Sequence, residues 1–303
     1  MRTESAIISL ANGRLKTAFL ALLATAVLGC GQRDESQEDE NAPGHPLVGQ
    51  ILSVDIEAGS LEVAHEDIPG FMPAMTMRFE VDPGDARNAS VGQKIRARLI
   101  RTEEGGFKLI RIWPLDESLS DDLEEANRKL QKQTKALPSG RYYGMGDEAP
   151  DFGLLDQRGA AITSDRLKGR PFFINFIFTR CPDPEMCSMS TMKMGQLQKR
   201  AGEAGIEASF VSITLDPEFD TPGVLRQYAE AYGIEGDNFH FATGPKSAVR
   251  DLIRSYGVTA IENVDTIMHS MATTLVAADG SIVLRSETKA WSVDEFLEAL
   301  KGL

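Results

Sequence analysis

Cys181 and Cys187 bracket a loop of five residues, Pro182-Asp183-Pro184-Glu185-Met186, at the end of an apolar and aromatic run. Two nearby thiols can cycle between dithiol and disulfide, share a soft metal ion, or do both in turn. The run itself, Phe172 to Phe178, has the composition of a central strand covered on both faces. The stretch after Cys187 is helical in pattern. The thiols would then stand between the carboxyl end of a strand and the amino end of a helix, where the field favours thiolate. Met186, Met189, Met192 and Met194 crowd the same stretch. A thioether could join a cuprous site there, although methionines on a helix more often belong to a core.

The third cysteine has a different setting. Arg2, Arg14 and Lys16 precede an apolar run from Ala18 to Leu28, too short to span a membrane and suited to a secretory signal. Leu28-Gly29-Cys30 resembles a bacterial lipoprotein cleavage box. That resemblance implies removal of residues 1–29, acylation of Cys30 and a lipid anchor on the periplasmic side of a membrane. The alternatives are an unlipidated signal peptide or a membrane-anchoring helix. With Cys30 so explained, Cys181 and Cys187 are the only pair in an oxidising compartment. The net charge of -13 and the lack of a Lys/Arg cluster oppose nucleic acid as a partner. A chain of 303 residues, 42% hydrophobic, can bury two ordinary cores.

The elements that must position these groups are legible in outline. Residues 30–46 are acidic and aperiodic, a tether in which His45 reads as a solvated residue. From 47 to 115, five short strands separated by Ala58-Gly59, Pro69-Gly70, Pro83-Gly84 and Gly105-Gly106 predict a small all-β barrel of the OB type. Residues 116–140 predict a helical linker with Leu119, Leu123, Ala126, Leu130 and Leu137 on one stripe. Glu124/Arg128 and Glu125/Lys129 could pair along it, and the linker would pack on one domain, with dimerisation as the other option. From 141 to 303, strands and helices alternate; Asp220-Thr221-Pro222 supplies an N-cap and a first-turn proline for one of the helices. The alternation ends in a hairpin at Asp279-Gly280 and a helix capped by Ser292. Thiols after the first βαβ strand of such an α/β domain make a thioredoxin-like arrangement.

Four ordered blocks, GDEAPDFGLLDQRG, FFINFIFTRCPDPEMC, SITLDPEFDTP and DTIMHSMATTLVAADGSIV, resemble the Sco/SenC family of membrane-attached copper chaperones. The resemblance runs from Gly146 to Leu303 and implies Cys181, Cys187 and His269 as ligands of Cu(I) or Cu(II). Soft thiolates with an imidazole suit that ion. Members usually carry fewer residues between the cysteines than the five found here, which bears on redox potential and metal geometry. Asp216, in the Asp-Pro turn, resembles a recurrent acidic position and would either orient the site or only cap a turn.

VAHEDIPGFMPAMTMRF resembles the periplasmic CusF-like copper-binding barrel, which implies His65, Met75 and Met77 as Cu(I) ligands. Met75 and Met77 are two apart on a strand, so both thioethers leave one face. Where that family often places a tryptophan, this chain has Met72, with Phe71 beside it. Either Met72 adds a thioether or Phe71 adds a ring for a cation–π contact. Together the resemblances imply a lipid-anchored periplasmic copper chaperone whose client is a copper centre of a respiratory oxidase. The alternatives are a thiol-disulfide oxidoreductase or peroxide-handling protein with Cys181 and Cys187 as catalytic thiols, and a copper-buffering or resistance protein.

Overall fold

The computed structural model describes residues 43–263 and 266–303. The expected signal peptide, Cys30 and most of the tether lie outside them. The first unit of structure is a closed barrel. Its strands are β1 (His45–Asp55), β2 (Ser60–His65), β3 (Met75–Glu80), β4 (Lys94–Arg101) and β5 (Phe107–Pro114), in the order β1-β2-β3-β5-β4. A short helix, α1 (Pro83–Asn88), lies between β3 and β4. Period-two alternation turns Leu61, Val63 and His65 of β2, and Ile95, Ala97 and Leu99 of β4, into the interior. β1 begins two residues before the expected barrel boundary: His45 pairs with Leu99, and its ring stacks on Phe71 with centroids 4.0 Å apart. It is a strand residue rather than part of a tether.

Helix α2 (Glu117–Ala136) comes next and packs on the C-terminal half. Ala126 and Leu130 are buried as its stripe predicts, and Thr134 is buried with them. Leu119 lies outside the described side chains. The expected i,i+4 pairs are replaced: Arg128 pairs with Glu125 (2.6 Å), and Lys129 reaches Asp165 (3.8 Å). Polar contacts fasten the helix down. Gln133 both donates to Asp151 (2.8 Å) and accepts from its amide (2.9 Å), and the Thr134 and Ser255 hydroxyls bond at 2.9 Å.

The C-terminal half opens with β6 (Gly153–Leu155), β7 (Ala161–Thr163) and α3 (Ser164–Leu167). Then come β8 (Phe172–Ile177), a π turn at Pro184–Ser188, α4 (Met189–Glu203), β9 (Ser209–Thr214), α5 (Pro222–Ala231), β10 (Phe239–Ala242) and α6 (Lys246–Ser255). The chain finishes with β11 (Ala260–Glu262), β12 (Ile267–His269), β13 (Thr273–Val276), β14 (Ile282–Ser286) and α7 (Val293–Lys301). The main sheet runs β10-β9-β8-β13-β14, parallel through β10, β9 and β8 and antiparallel beyond. β8 is central, and every one of its residues is buried. Asn175, the polar residue in that run, is satisfied: it donates to Ser190 Oγ of α4 (2.9 Å) and accepts from Ser212 Oγ of β9 (2.6 Å). Left unpaired, a buried amide costs about 1–3 kcal/mol.

The barrel meets the C-terminal half along α1 and α5. Gly84 and Gly223 let the two backbones touch. A Cβ on Gly84 would overlap the Gly223 carbonyl oxygen, and one on Gly223 would overlap the Asp85 carboxylate. Arg226 donates to Asn88 Oδ1 (2.8 Å) and to the Arg87 carbonyl (3.1 Å), while Arg87 pairs with Glu230. Among the described residues no helix is long and apolar enough to cross a membrane.

Candidate metal centres

β8 delivers the chain to the carboxyl edge of the sheet, and Thr179 to Met186 form the turn beyond it. Of the five residues between the cysteines, Pro182, Pro184 and Glu185 are exposed and Asp183 and Met186 half-buried. Asp183 accepts from the Glu185 amide (2.9 Å) and starts the π turn, with Pro184 in its first position. A π turn absorbs extra residues without leaving the helical path. Here it carries Cys187 into the core at 1% exposure, while Cys181 stays half-buried.

His269 arrives from far along the chain, at the end of β12 and just ahead of β13, which pairs with β8. One donor atom from each of Cys181, Cys187 and His269 lies within 4.8 Å of the others. Cys187 Sγ is 3.5 Å from His269 Nε2. The other ring nitrogen, Nδ1, sits 2.9 Å from the Ser270 carbonyl. With Nδ1 engaged there, Nε2 is the ring nitrogen that faces the thiols and the one that would ligate a metal. Phe178 presents an edge contact to the imidazole, centroids 5.5 Å apart.

The electrostatics separate the two thiols. A hydrogen bond from Cys187, joined by His269 and by local amides, pulls the Cys181 thiol down to about 5 against partial burial. The same contact with Cys181, together with desolvation, pushes Cys187 up. In the metal-free pair Cys181 is therefore the more acidic thiol and Cys187 the less acidic.

Around them, Asp216 accepts from Arg180 Nη2 (2.6 Å), so it holds the residue before Cys181 as well as shaping the Asp-Pro turn. Of Asp220 and Thr221, it is Thr221 that caps α5, accepting from the Val224 amide (3.5 Å). The buried Asp220 carboxylate instead accepts from the Thr179 amide (3.1 Å), the Thr179 hydroxyl and the Thr214 hydroxyl (2.5 Å). It ties the start of the cysteine turn to the end of β9. In the sequence Ser270 and Thr179 stood without a role and Phe178 only as the end of an apolar run, because their roles depend on chain segments meeting.

The methionines after Cys181 divide. Met194 is fully buried in the core. Met186 is half-buried, and Met189 and Met192 are 38% and 49% exposed.

In the barrel, His65 lies directly opposite Met75, and Val63 opposite Met77. Residues opposed across antiparallel strands share a face, so His65, Met75 and Met77 lie on the interior side. His65 is 4% exposed, with Nδ1 at 2.7 Å from the Glu66 carbonyl and a buried Nε2 that has no partner. An orphaned imidazole lone pair beside thioethers fits a soft cation. Gly49 makes room: a Cβ there would come within 2.8 Å of the Ala64 carbonyl and 3.0 Å of His65 Cα. Met75 is 44% exposed, at the mouth of the set, and Met77 is half-buried. Met72 packs half-buried on the barrel core, its backbone bonded to Ile68 in both directions (2.9 and 3.1 Å). The Phe71 ring is already engaged, stacked on His45 and 5.6 Å from the Arg101 guanidinium.

A thioredoxin-like α/β domain with two thiols and one imidazole at the carboxyl edge of its sheet, joined to a barrel lined by His and Met, defines a class of soft-metal-binding proteins. The chain belongs to the SCO1/SenC family, whose model matches residues 141–303. Residues 44–114 match the model of the copper binding periplasmic protein CusF. A SCO1 protein homolog of Bacillus subtilis is 31% identical over 140 residues, which cover 45% of this chain and 72% of that protein. The mitochondrial SCO2 homolog of Bos taurus is 30% identical over 214 residues, 65% of this chain and 73% of the relative. Copper-bound ScoI of Bradyrhizobium japonicum superposes with a TM-score of 0.44 at 27% identity, covering 52% of this chain and 99% of that one. Copper binding is the property common to the families of both halves.

Proposed function

We propose that this is a periplasmic copper chaperone, anchored by lipid at Cys30, which delivers copper to a centre in a respiratory oxidase subunit. The barrel takes Cu(I) through His65, Met75 and Met77, with Met72 rather than Phe71 as the additional contact, since Phe71 is committed to His45 and Arg101. Cys181, Cys187 and His269 hold copper in the second domain, as Cu(I) or Cu(II). The observation that carries this reading is the convergence of those three donors from segments more than eighty residues apart in the chain. A thiolate, a thiol that loses its proton on binding, and a neutral imidazole favour copper over harder ions.

Copper stoichiometry on the full chain tests it. The wild type should hold about one equivalent more than a Cys181→Ser/Cys187→Ser variant, and about one more than a Met75→Leu/Met77→Leu variant, independently. Failure of the wild type to take Cu(I) from a strong chelator would sink the proposal. Comparing oxidase activity in a deletion strain at low and high copper then separates delivery from buffering.

The depressed Cys181 thiol supports a second reading as a thiol-disulfide oxidoreductase. Cys181 thiolate would attack a client disulfide, and Cys187, giving up its proton, would resolve the mixed disulfide. The products are an oxidised Cys181–Cys187 pair and a reduced client. His269→Ala separates the two: the chaperone loses copper, whereas the oxidoreductase keeps turning over without it.

A further inference from the structure

We propose that the thioethers of Met186, Met189 and Met192 form an additional Cu(I)-binding track on the outer surface of the π turn and α4, leading to Cys187. This rests on the copper reading above and adds a site to it. The three residues recur at intervals of three, beginning one residue before Cys187. On a helical surface such neighbours have Cβ atoms about 5–6 Å apart, within reach of a shared ion for an unbranched side chain. Their exposure rises along the line, from half-buried Met186 to 38% at Met189 and 49% at Met192, whereas Met194 on the other face is fully buried. The helix therefore has its core methionine already, and Met189 and Met192 stand exposed on its other side.

The charge pattern along the track suits a cation. Lys193 is the basic residue next to it, and its ammonium is turned away to the carbonyls of Lys289 (2.9 Å) and Trp291 (2.8 Å). Lys289 in turn pairs with Glu185 (2.5 Å) at the head of the turn. Neutral thioethers bind Cu(I) without releasing a proton, and the ion stays cuprous throughout, so no electron donor or acceptor is needed. Anionic sulfur is the stronger ligand, so an ion held by Met186 would pass to the Cys181/Cys187 pair and not back.

The test is an anaerobic Cu(I) titration of the full chain carrying methyl-labelled methionine, followed by NMR. Once the barrel and thiol sites are saturated, further Cu(I) should shift the methyl signals of Met186, Met189 and Met192. A Met189→Leu/Met192→Leu variant, which keeps volume and helix propensity, should lose that extra uptake and load its thiol site more slowly. Methyl signals that stay put while the two other sites fill would overturn the track and leave the chaperone reading intact. That is also the result expected if the ridge serves only to dock another protein. No uptake at any site would remove the copper reading itself, a distinguishable outcome.

Discussion

Cys181 and Cys187 look equivalent as residue types, and their surroundings make them unlike. One is half-buried, with its Sγ 3.6 Å from the Asp183 carbonyl, and the other is buried at 1% exposure, with its Sγ 3.5 Å from His269 Nε2. A thiolate is the reactive form, so in the reduced, metal-free chain alkylation should select Cys181. Its rate should rise through about pH 5 and stay flat above, since the folded thiol is pulled down to about 5 and is already ionised at neutral pH. Mass-spectrometric rates with iodoacetamide across pH would show this. A midpoint near the ordinary value of about 8.5 would contradict the geometry. His269→Ala should raise the midpoint, because the imidazole is one of the groups favouring the thiolate.

At the scale of elements, segments with a hydrophobic period or a turn signal were legible, the short β13/β14 hairpin at Asp279-Gly280 included, and those with neither were not. β8 and the five barrel strands announced themselves by runs and alternation, and α5 by Thr221 and Pro222. Helix α1, the β6/β7 hairpin and the β11/β12 ribbon are each six residues or fewer per element, too short to show a period. Yet β12 is what carries His269, and α1 is what docks the barrel. The Gly84–Gly223 contact makes that docking sensitive to a single methyl group. Gly84→Ala must push the backbones apart, because its Cβ meets a carbonyl oxygen and not a flexible side chain. We expect a loss of about 1–3 kcal/mol and separate unfolding of the two halves by calorimetry. One cooperative transition at unchanged temperature would show that the contact is not needed.

Over the whole molecule, two hydrophobic cores are joined by a seam that contains a buried carboxyl. Asp85 is 5% exposed, and desolvation, with some help from Asp82 and against Lys108, pushes it up to about 7. A carboxyl raised in the docked state binds its proton more tightly there than when free. Docking is therefore strongest below the ordinary carboxylate range and weakens as pH rises toward about 7, levelling off above. Limited proteolysis between the two halves at pH 5 and pH 8 should show easier cleavage at the higher pH, and Asp85→Asn should abolish the difference. Equal cleavage in the wild type at both pH values would refute it. Sequence by itself determined the two-part architecture, the family resemblances and the candidate donor residues, because these reside in local periodicity and in motifs read along the chain. Only the tertiary structure decided which donors meet, which of two like thiols is ionised, which methionines face water and how the halves join. Those properties arise from burial and from contacts between segments far apart in sequence, and the five-residue loop shows the difference: its length was plain, but only folding turned it into a π turn that seats Cys187 beside His269.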